Sequence, residues 1–346
     1  MKIKYSKPNK DIIKESDDLI EMEERLVLSL SKINSLLRDC PLRENCVLCG
    51  ESLKEMPLFE HRKVEFKVCS ECDHRQSAAY PTPEFESAAM IELGFDVIYP
   101  KLDFNQYRSR RDRIYTPKRD WLIDVLIDRG FSHDQLKAKS WFELGAGSGY
   151  FLNSMQDYGA TKLSGVDASD SMVKISNEAL GDGVIIHTNS SASETIRNHD
   201  ADIYCAFFVL EHLNDTADMI EELAAKQSGT IFVFAVPVFG LITAFESILD
   251  HHAARNLDGM THTQVFSERS IQYFLNKMDY EMIGQWVFGQ DVQDLFRFLS
   301  VNLKNIYPEK MRSDFLGRLS TIVDPMQSVI DQGLLADARH IVAIKR

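Results

Sequence analysis

The stretch Ser140-Trp-Phe-Glu-Leu-Gly-Ala-Gly-Ser-Gly-Tyr-Phe151 decides how this chain folds. A short apolar run contains the acid Glu143, and glycines follow at the alternate positions 145, 147 and 149. Apolar residues then return at helical spacing, so the pattern predicts a strand, a tight turn and a helix. Glycines let a ligand approach the backbone, and the N–H groups at the start of the helix favour an electron-rich ligand.

A second acid follows where the next strand of this pattern should end. The segment Leu163-Ser-Gly-Val166 runs directly into Asp167. An acid at the tip of the second strand of a βαβ unit can accept hydrogen bonds from ribose hydroxyls. A dinucleotide-binding loop would need another glycine at position 150, where this chain has Tyr150. An NAD-dependent oxidoreductase is therefore the weaker alternative.

The segment from Glu143 to Gly149, together with Asp167, resembles the nucleoside site of class I S-adenosylmethionine-dependent methyltransferases. The segment Ala201–Leu213, which ends in Leu-Glu-His-Leu, resembles the fourth strand and following turn of that family. The resemblance covers roughly residues 119–346 and implies S-adenosylmethionine as the cofactor. On this basis the cofactor-binding residues are Glu143, Gly145, Ala146, Gly147, Gly149, Asp167, Ala168, Asn189, Phe207 and Phe208.

The fold class follows from alternating strand and helix patterns. We expect an α/β protein with a Rossmann-like, doubly wound sheet whose last strand is antiparallel, preceded by a helix and a small zinc ribbon. The predicted strands are 140–144, 162–167, 183–187, 202–207, 230–235, 280–287 and 339–345. The predicted units are an amphipathic helix (1–40), the zinc ribbon (41–80), a helical acceptor-side region (81–135) and the methyltransferase domain (136–346).

The composition limits the partners that the protein can have. It has 346 residues and a formal net charge of −13, which disfavours a broad basic surface for nucleic acid. No apolar run approaches the roughly 20 residues that a membrane-spanning helix needs. Charged residues continue through the segment where a signal peptide would be apolar, so we predict a cytoplasmic protein without a membrane span.

The cysteines predict a metal site. Four of the six form two Cys-x-x-Cys pairs, Cys46 with Cys49 and Cys69 with Cys72. Two such turns can complete a tetrahedral zinc site, and four protein ligands leave no open coordination position. We therefore predict a structural zinc ion, against the alternative of two unrelated pairs of buried thiols.

The N-terminal segment 11–37 reads as a charged amphipathic helix. Ile12, Leu19, Leu26 and Ile33 recur every seven residues, a spacing that would suit a coiled-coil homodimer. Because the heptads are few, packing of this helix on its own chain is the favoured alternative.

The segment His262-Thr-Gln-Val-Phe-Ser267 resembles the region before a helix in sugar-modifying methyltransferases, which implies His262 as the catalytic base. His251 and His252 are further candidates, because the pKa of histidine lies near neutrality. Relatives that methylate a sugar carbon have tyrosine and glutamate where this chain has Gly259 and Thr261, so transfer to oxygen is favoured. Glu211 and His212 are assigned to the cofactor side.

The predicted function is therefore methyl transfer to a nucleotide-linked or polysaccharide-linked sugar. The alternatives are a small natural-product acceptor and a zinc-ribbon scaffold that binds protein. A basic stretch could contact the diphosphate of a nucleotide sugar, although a solvated helix face paired with Asp103, Asp112 and Asp120 is favoured. Its members are Lys101, Arg108, Arg110, Arg111, Arg113, Lys118 and Arg119.

Overall fold

An eight-stranded sheet organises the chain in the computed structural model, which describes residues 1–8, 13–93, 103–249, 252, 256–257, 262–304 and 306–346. A second sheet has four short strands. In chain order the strands are β1 (Lys2–Tyr5), β2 (Leu58–His61), β3 (Val64–Val68), β4 (Arg75–Ser77), β5 (Ser140–Leu144), β6 (Lys162–Asp167), β7 (Ile185–His187), β8 (Ile203–Phe207), β9 (Ile231–Pro237), β10 (Gln264–Val265), β11 (Tyr280–Val287) and β12 (Ala338–Lys345).

The large sheet has the order β1-β11-β12-β9-β8-β5-β6-β7. Strands β5 to β9 run parallel to one another, whereas β12 is antiparallel to both β9 and β11. The predicted α/β class with an antiparallel closing strand is confirmed. The carboxyl ends of β5, β6 and β8 meet at one edge, where doubly wound sheets bind ligands.

Helices cover the large sheet and join its strands. They are α1 (Ile13–Leu37), α2 (Pro83–Leu93), α3 (Phe104–Arg110), α4 (Thr116–Asp128), α5 (His133–Ala138), α6 (Tyr150–Tyr158), α7 (Asp170–Leu180), α8 (Ala192–Asn198), α9 (Thr216–Ala224), α10 (Leu241–Ile248), α11 (Glu268–Met278), α12 (Asp291–Leu303), α13 (Glu309–Ser320) and α14 (Val323–Gln332). A π-helical turn (Arg111–Tyr115) joins α3 to α4, and a 3₁₀ turn (Leu210–His212) follows β8.

The small sheet joins the cysteine region to the rest of the chain. Its order is β10-β4-β3-β2, and β10 pairs antiparallel with β4. Strand β10 comes from the chain after β9, so the two predicted units share a sheet. They also share a core, because Cys46, Leu48 and Leu53 pack in the same buried cluster as Phe142 and Phe266.

Helix α1 packs on its own chain. Leu30, Ile33 and Leu37 are buried together with Phe66 and Val265 of the small sheet. These helix positions therefore pack against residues of the same chain, as the favoured alternative predicted. Ile12 lies outside the described residues, and a homodimer through this helix stays a prediction.

Strand β7 begins at Ile185, two residues later than predicted, because Gly183 adopts a left-handed backbone conformation (φ 81°). Left-handed residues interrupt an extended strand and belong to turns. Among the described helices, none is both long and apolar enough to cross a bilayer.

The turn before α10 tolerates no side chain at Gly240. A Cβ there would lie 2.7 Å from the carbonyl oxygen of Leu335 and 2.8 Å from the backbone of Asp337. Both neighbours are main-chain atoms, which cannot rotate away. Gly317 in α13 is a matched control, because no atom lies within 4 Å of its Cβ position.

We expect Gly240→Ala to lower the free energy of unfolding by about 1–3 kcal/mol through overpacking. Gly317→Ala should raise it by about 0.5–1 kcal/mol, because alanine favours the helix. Urea denaturation followed by circular dichroism measures both. Equal stability of the Gly240→Ala and unchanged proteins would contradict the close approach seen here.

Candidate cofactor and acceptor site

The glycine turn between β5 and α6 is left-handed at alternate residues. Gly145, Gly147 and Gly149 have φ values of 63°, 54° and 74°, which residues with a Cβ rarely adopt. A Cβ on Gly145 would lie 2.6 Å from Val209 Cγ2, whereas nothing lies within 4 Å of the Cβ position of Gly147. The turn therefore touches the segment after β8 and leaves open space at Gly147. Ala146 donates its N–H to Val166 O at 2.9 Å.

Asp167 lies at the tip of β6, beside this turn. Its Oδ2 accepts a hydrogen bond from Gly147 N at 2.7 Å, and its Oδ1 accepts one from Ser169 N at 2.9 Å. Each carboxylate oxygen can accept a further bond, so ribose hydroxyls can still be held there. Asp167 thus orders the glycine turn and keeps hydrogen-bond acceptor capacity at the tip of β6.

Glu143 is a buried acid at the end of β5. It is 3 % exposed, and its Oε2 has no hydrogen-bond partner among the described residues. Burial raises the pKa of Glu143 well above its ordinary value, and the positive charge of Lys118 partly opposes this. An unsatisfied buried oxygen beside an open glycine turn fits a ligand that brings its own donor.

Aromatic side chains close the site from two directions. Phe207 packs on Phe151 with ring centroids 4.7 Å apart, and Phe208 is 37 % exposed with a left-handed φ of 56°. Tyr107 stacks on Tyr150 at 4.3 Å, and its hydroxyl donates to Ser148 O at 2.9 Å. Helix α3 therefore lies over the start of α6.

Lys118, a member of the predicted basic stretch, is buried and does not lie on a solvated helix face. It is 6 % exposed, and its Nζ lies 5.6 and 5.3 Å from the ring centroids of Phe207 and Phe208. Only its place in the fold shows that it faces the ends of β5 and β8, beside Glu143 and Phe207.

The remaining predicted cofactor residues lie at the neighbouring strand ends. Ala168 follows β6, and its carbonyl oxygen lies 3.1 Å from Nε2 of His187. Asn189 is exposed just after β7. The structure thus gathers the predicted cofactor residues along one edge of the sheet.

The 3₁₀ turn after β8 brings the adjacent residues Glu211 and His212 close to His262, which is distant along the chain. Glu211 is fully buried, and neither of its carboxylate oxygens has a hydrogen-bond partner among the described residues. Burial raises the pKa of Glu211 to about 8. His262 Nε2 lies 3.9 Å from Glu211 Oε1, and the rings of His262 and His212 are 5.0 Å apart. Glu211 and His212, expected on the cofactor side, therefore lie beside the predicted catalytic histidine.

A protein-family model described as a methyltransferase domain matches residues 110–285. The chain belongs to this family. The prediction of an S-adenosylmethionine-dependent methyltransferase of class I is thereby confirmed. No curated protein matches the chain.

Solved methyltransferase structures resemble the chain in fold. Magnesium protoporphyrin IX methyltransferase from Synechocystis PCC 6803, with bound S-adenosylhomocysteine, is 13% identical (75% of this chain, 97% of that chain, TM-score 0.45). An S-adenosylmethionine-dependent methyltransferase from Archaeoglobus fulgidus is 16% identical (70% and 100%, TM-score 0.39). One from Mesorhizobium loti is 14% identical (60% and 91%, TM-score 0.39).

The other predicted catalytic histidines are placed differently in this methyltransferase. His252 is 1 % exposed, its Nδ1 lies 3.0 Å from Glu23 Oε1, and its Nε2 accepts from Asn302 Nδ2 at 2.8 Å. Glu23 also pairs with Arg297, so His252 belongs to a buried polar network. With both ring nitrogens engaged there, His252 is not proposed for catalysis. His251 lies outside the described residues.

The basic stretch of the methyltransferase is partly paired. Arg111 forms ion pairs with Asp112 and Asp157, and Arg119 pairs with Asp120. These contacts match the alternative of a paired helix face for those two arginines. Lys101 lies outside the described residues.

The four predicted zinc ligands lie together. Cys46 Sγ is 3.6 Å from Cys72 Sγ, Cys49 Sγ is 3.5 Å from Cys69 Sγ, and all four sulfurs lie within 4.8 Å of one another. Sulfur atoms that share a zinc ion at about 2.3 Å lie at similar separations. Hydrogen bonds from Cys49 and then Cys72 hold the pKa of Cys46 well below its ordinary value. This donor set fits a closed, tetrahedral zinc site.

We expect Cys49→Ser to reduce tightly held zinc and to lower the melting temperature, because the ion loses one of its four ligands. Elemental analysis and thermal denaturation measure the two effects. Cys40→Ser is the control, since Cys40 is a free, half-buried thiol outside the cluster. Full zinc content in the Cys49→Ser protein would refute the four-cysteine site.

We expect Asp167→Ala to weaken binding of S-adenosylhomocysteine by about 10- to 150-fold, the effect of losing charge-assisted hydrogen bonds worth about 1.5–3 kcal/mol. Isothermal titration calorimetry measures the affinity, and circular dichroism checks the fold. Asp182→Ala in the exposed turn before β7 is the control. Unchanged affinity of the Asp167→Ala protein would remove Asp167 from the cofactor site.

Proposed function

We propose that the protein transfers a methyl group from S-adenosylmethionine to a hydroxyl of a nucleotide-linked or polysaccharide-linked sugar. The observation that carries this proposal is that Glu211 follows the segment in contact with the glycine turn and lies beside His262. Val209 contacts Gly145, and Glu211 follows two residues later. A group able to activate an acceptor therefore lies beside the cofactor residues.

The cofactor is held by the turn and the acids around it. S-adenosylmethionine supplies a methyl group on a sulfonium, so the protein has only to bind it and align the acceptor. Asp167 holds the ribose, the open space at Gly147 admits the ligand to the backbone, and the unsatisfied Oε2 of Glu143 accepts a donor. Phe207 and Lys118 bound the same space.

The acceptor side is built around His262. Its Nδ1–H donates to Asn256 O, with the two atoms 3.1 Å apart, which fixes the tautomer that leaves an electron pair on Nε2. That nitrogen faces Glu211. A hydroxyl acceptor needs its proton removed before it attacks the methyl group, and His262 Nε2 supplies the electron pair for this activation.

The predicted zinc-ribbon segment 41–80, called the cysteine module below, supports this side of the site. Gln264, two residues after His262, accepts a hydrogen bond at its Oε1 from His74 Nε2 at 2.6 Å, and its Nε2 donates to Leu213 O at 2.7 Å. One side chain thus joins the module, the segment that follows His262 and the end of the 3₁₀ turn. We propose that a structural zinc ion keeps these parts in register.

The sugar class rests on the sequence pattern around His262 and on the cysteine-rich region at the N-terminus. Both resemble sugar-modifying methyltransferases. Gly259 and Thr261, which favour transfer to oxygen over carbon, lie outside the described residues. The pairing of Arg111 and Arg119 leaves the binding of a nucleotide diphosphate to other residues.

The proposal is tested by supplying cofactor with a labelled methyl group and a panel of acceptors. Nucleotide sugars and oligosaccharides are compared with phenolic natural products, protein and RNA, and the product is located by mass spectrometry and NMR. We expect an O-methyl sugar. Labelling of phenols, protein or RNA without labelling of sugars would overturn the sugar assignment, and a new carbon–carbon bond would overturn transfer to oxygen.

We expect His262→Gln to lower kcat by about 10²- to 10⁴-fold, because the acceptor loses its activating group. Affinity for S-adenosylhomocysteine, measured by calorimetry, should stay unchanged. His133→Gln is the matched control, since His133 is exposed before β5, away from the carboxyl ends of the strands. Equal kcat for the His262→Gln and His133→Gln proteins would exclude His262 from catalysis.

A further inference from the structure

We propose that Glu211, His212 and His262 form a second metal site, which binds a divalent cation through one carboxylate oxygen and two imidazole nitrogens. One ligand atom from each residue lies within 4.8 Å of the other two. This cluster is separate from the four cysteines and contains no sulfur. The sequence alone does not predict this cluster, because His262 is distant along the chain from the other two residues.

The buried carboxylate of Glu211 is the first observation that points to an ion. The side chain is fully buried, and both oxygens lack a hydrogen-bond partner among the described residues. A buried carboxylate is costly unless it is paired or binds a metal. His262 Nε2 lies 3.9 Å from Glu211 Oε1, which is too far for a hydrogen bond.

The orientation of His262 is the second observation. Its Nδ1–H donates to the carbonyl oxygen of Asn256, and Asn256 is anchored in turn by donating to Asp337 Oδ2 at 2.7 Å. Metal-binding histidines usually donate their other ring N–H to such a carbonyl or carboxylate group, which fixes the ring and the tautomer. His262 therefore presents Nε2 towards Glu211 in the form that binds a metal.

The dimensions and the exposure of the cluster also suit an ion. Donor atoms that share one ion at about 2.1 Å lie about 3–4 Å apart, and the Glu211–His262 separation of 3.9 Å falls within that range. Exposure rises from 0 % for the side chain of Glu211 to 20 % for that of His262, and His212 is exposed. The carboxylate thus lies at the base of a cluster that solvent reaches from the histidine side.

The ligand set indicates the class of ion. Imidazole and carboxylate together suit manganese, cobalt or zinc, whereas four thiolates select zinc. Three protein ligands leave coordination positions open, as in catalytic rather than structural sites. The chain would therefore hold two ions with different roles, one enclosed by cysteines and one open to the acceptor.

The role of this ion in catalysis rests on the proposed function, whereas its binding does not. A bound divalent cation lowers the pKa of a hydroxyl that contacts it, so the proton passes to solvent. The acceptor oxygen then forms a bond to the methyl carbon as the carbon–sulfur bond breaks, which leaves S-adenosylhomocysteine as a neutral thioether. With the ion bound, the electron pair of His262 Nε2 is donated to the metal. The ion then activates the hydroxyl in place of His262, and His262 and Glu211 contribute by holding the ion.

Manganese binding tests the site directly. Protein that retains only chelator-resistant zinc is titrated with Mn²⁺, and the electron paramagnetic resonance signal of the free ion is recorded. We expect one bound Mn²⁺ per chain. Glu211→Gln, His212→Gln and His262→Gln should each weaken binding by about tenfold or more, the scale seen when support of a metal site is lost. His133→Gln should bind like the unchanged protein.

Several outcomes overturn the site. The first is no Mn²⁺ binding, and the second is Mn²⁺ binding at several equivalent places. The third is a folded His212→Gln protein that binds Mn²⁺ with the same affinity as the unchanged protein. Circular dichroism checks each fold. Because His212 is exposed, its variant remains informative where replacement of the buried Glu211 prevents folding.

Activity measurements separate this inference from the proposed function. Mn²⁺ binding without methylation of any hydroxyl acceptor would sustain the metal site and reject the proposed function. Full hydroxyl methylation by protein stripped of the second ion would sustain the proposed function and overturn the catalytic role of the ion. A rate that rises with occupancy of the Mn²⁺ site supports both.

Discussion

The pairing of Gln264 and Val265 with Gln76 and Arg75 is the constraint on which the acceptor side depends. These few backbone bonds attach the cysteine module to the chain just after His262. The attachment is reinforced by a shared core, in which Cys46 packs with Phe266. A small cysteine-rich segment cannot bury enough apolar surface to fold alone. Here the core shared with the large sheet stabilises it, a zinc ion on the four cysteines would add to this, and the module in turn contacts the segment after His262.

Two buried acids mark the two halves of the site. Glu143 ends β5 beside the cofactor turn, Glu211 follows β8, and both have carboxylate oxygens without partners among the described residues. Such groups lower the stability of the free protein, and proteins retain them where a ligand completes their bonding. The contact between Val209 and Gly145 holds the two halves together. The same contact therefore links the residues around the glycine turn to the residues around Glu211.

Local patterns in the sequence predicted the large sheet well. Strands β5, β6 and β11 begin and end where their apolar runs do, because long buried strands leave a clear signal. Strands β1 and β10 were missed, since they are short and depend on distant partners. The cofactor turn was predictable from glycine spacing. The burial of Lys118 and the meeting of Glu211 with His262 were not, because only the folded chain brings those residues together.

Strand β1 has a consequence for how the protein matures. Lys2–Tyr5 pairs in parallel with Gly284–Val287, and Lys4 lies 3.7 Å from the ring centroid of Trp286. During synthesis β1 therefore has no partner strand until β11 has also left the ribosome. Docking of β1 onto the finished sheet is then a late step of folding, and it covers the edge of β11.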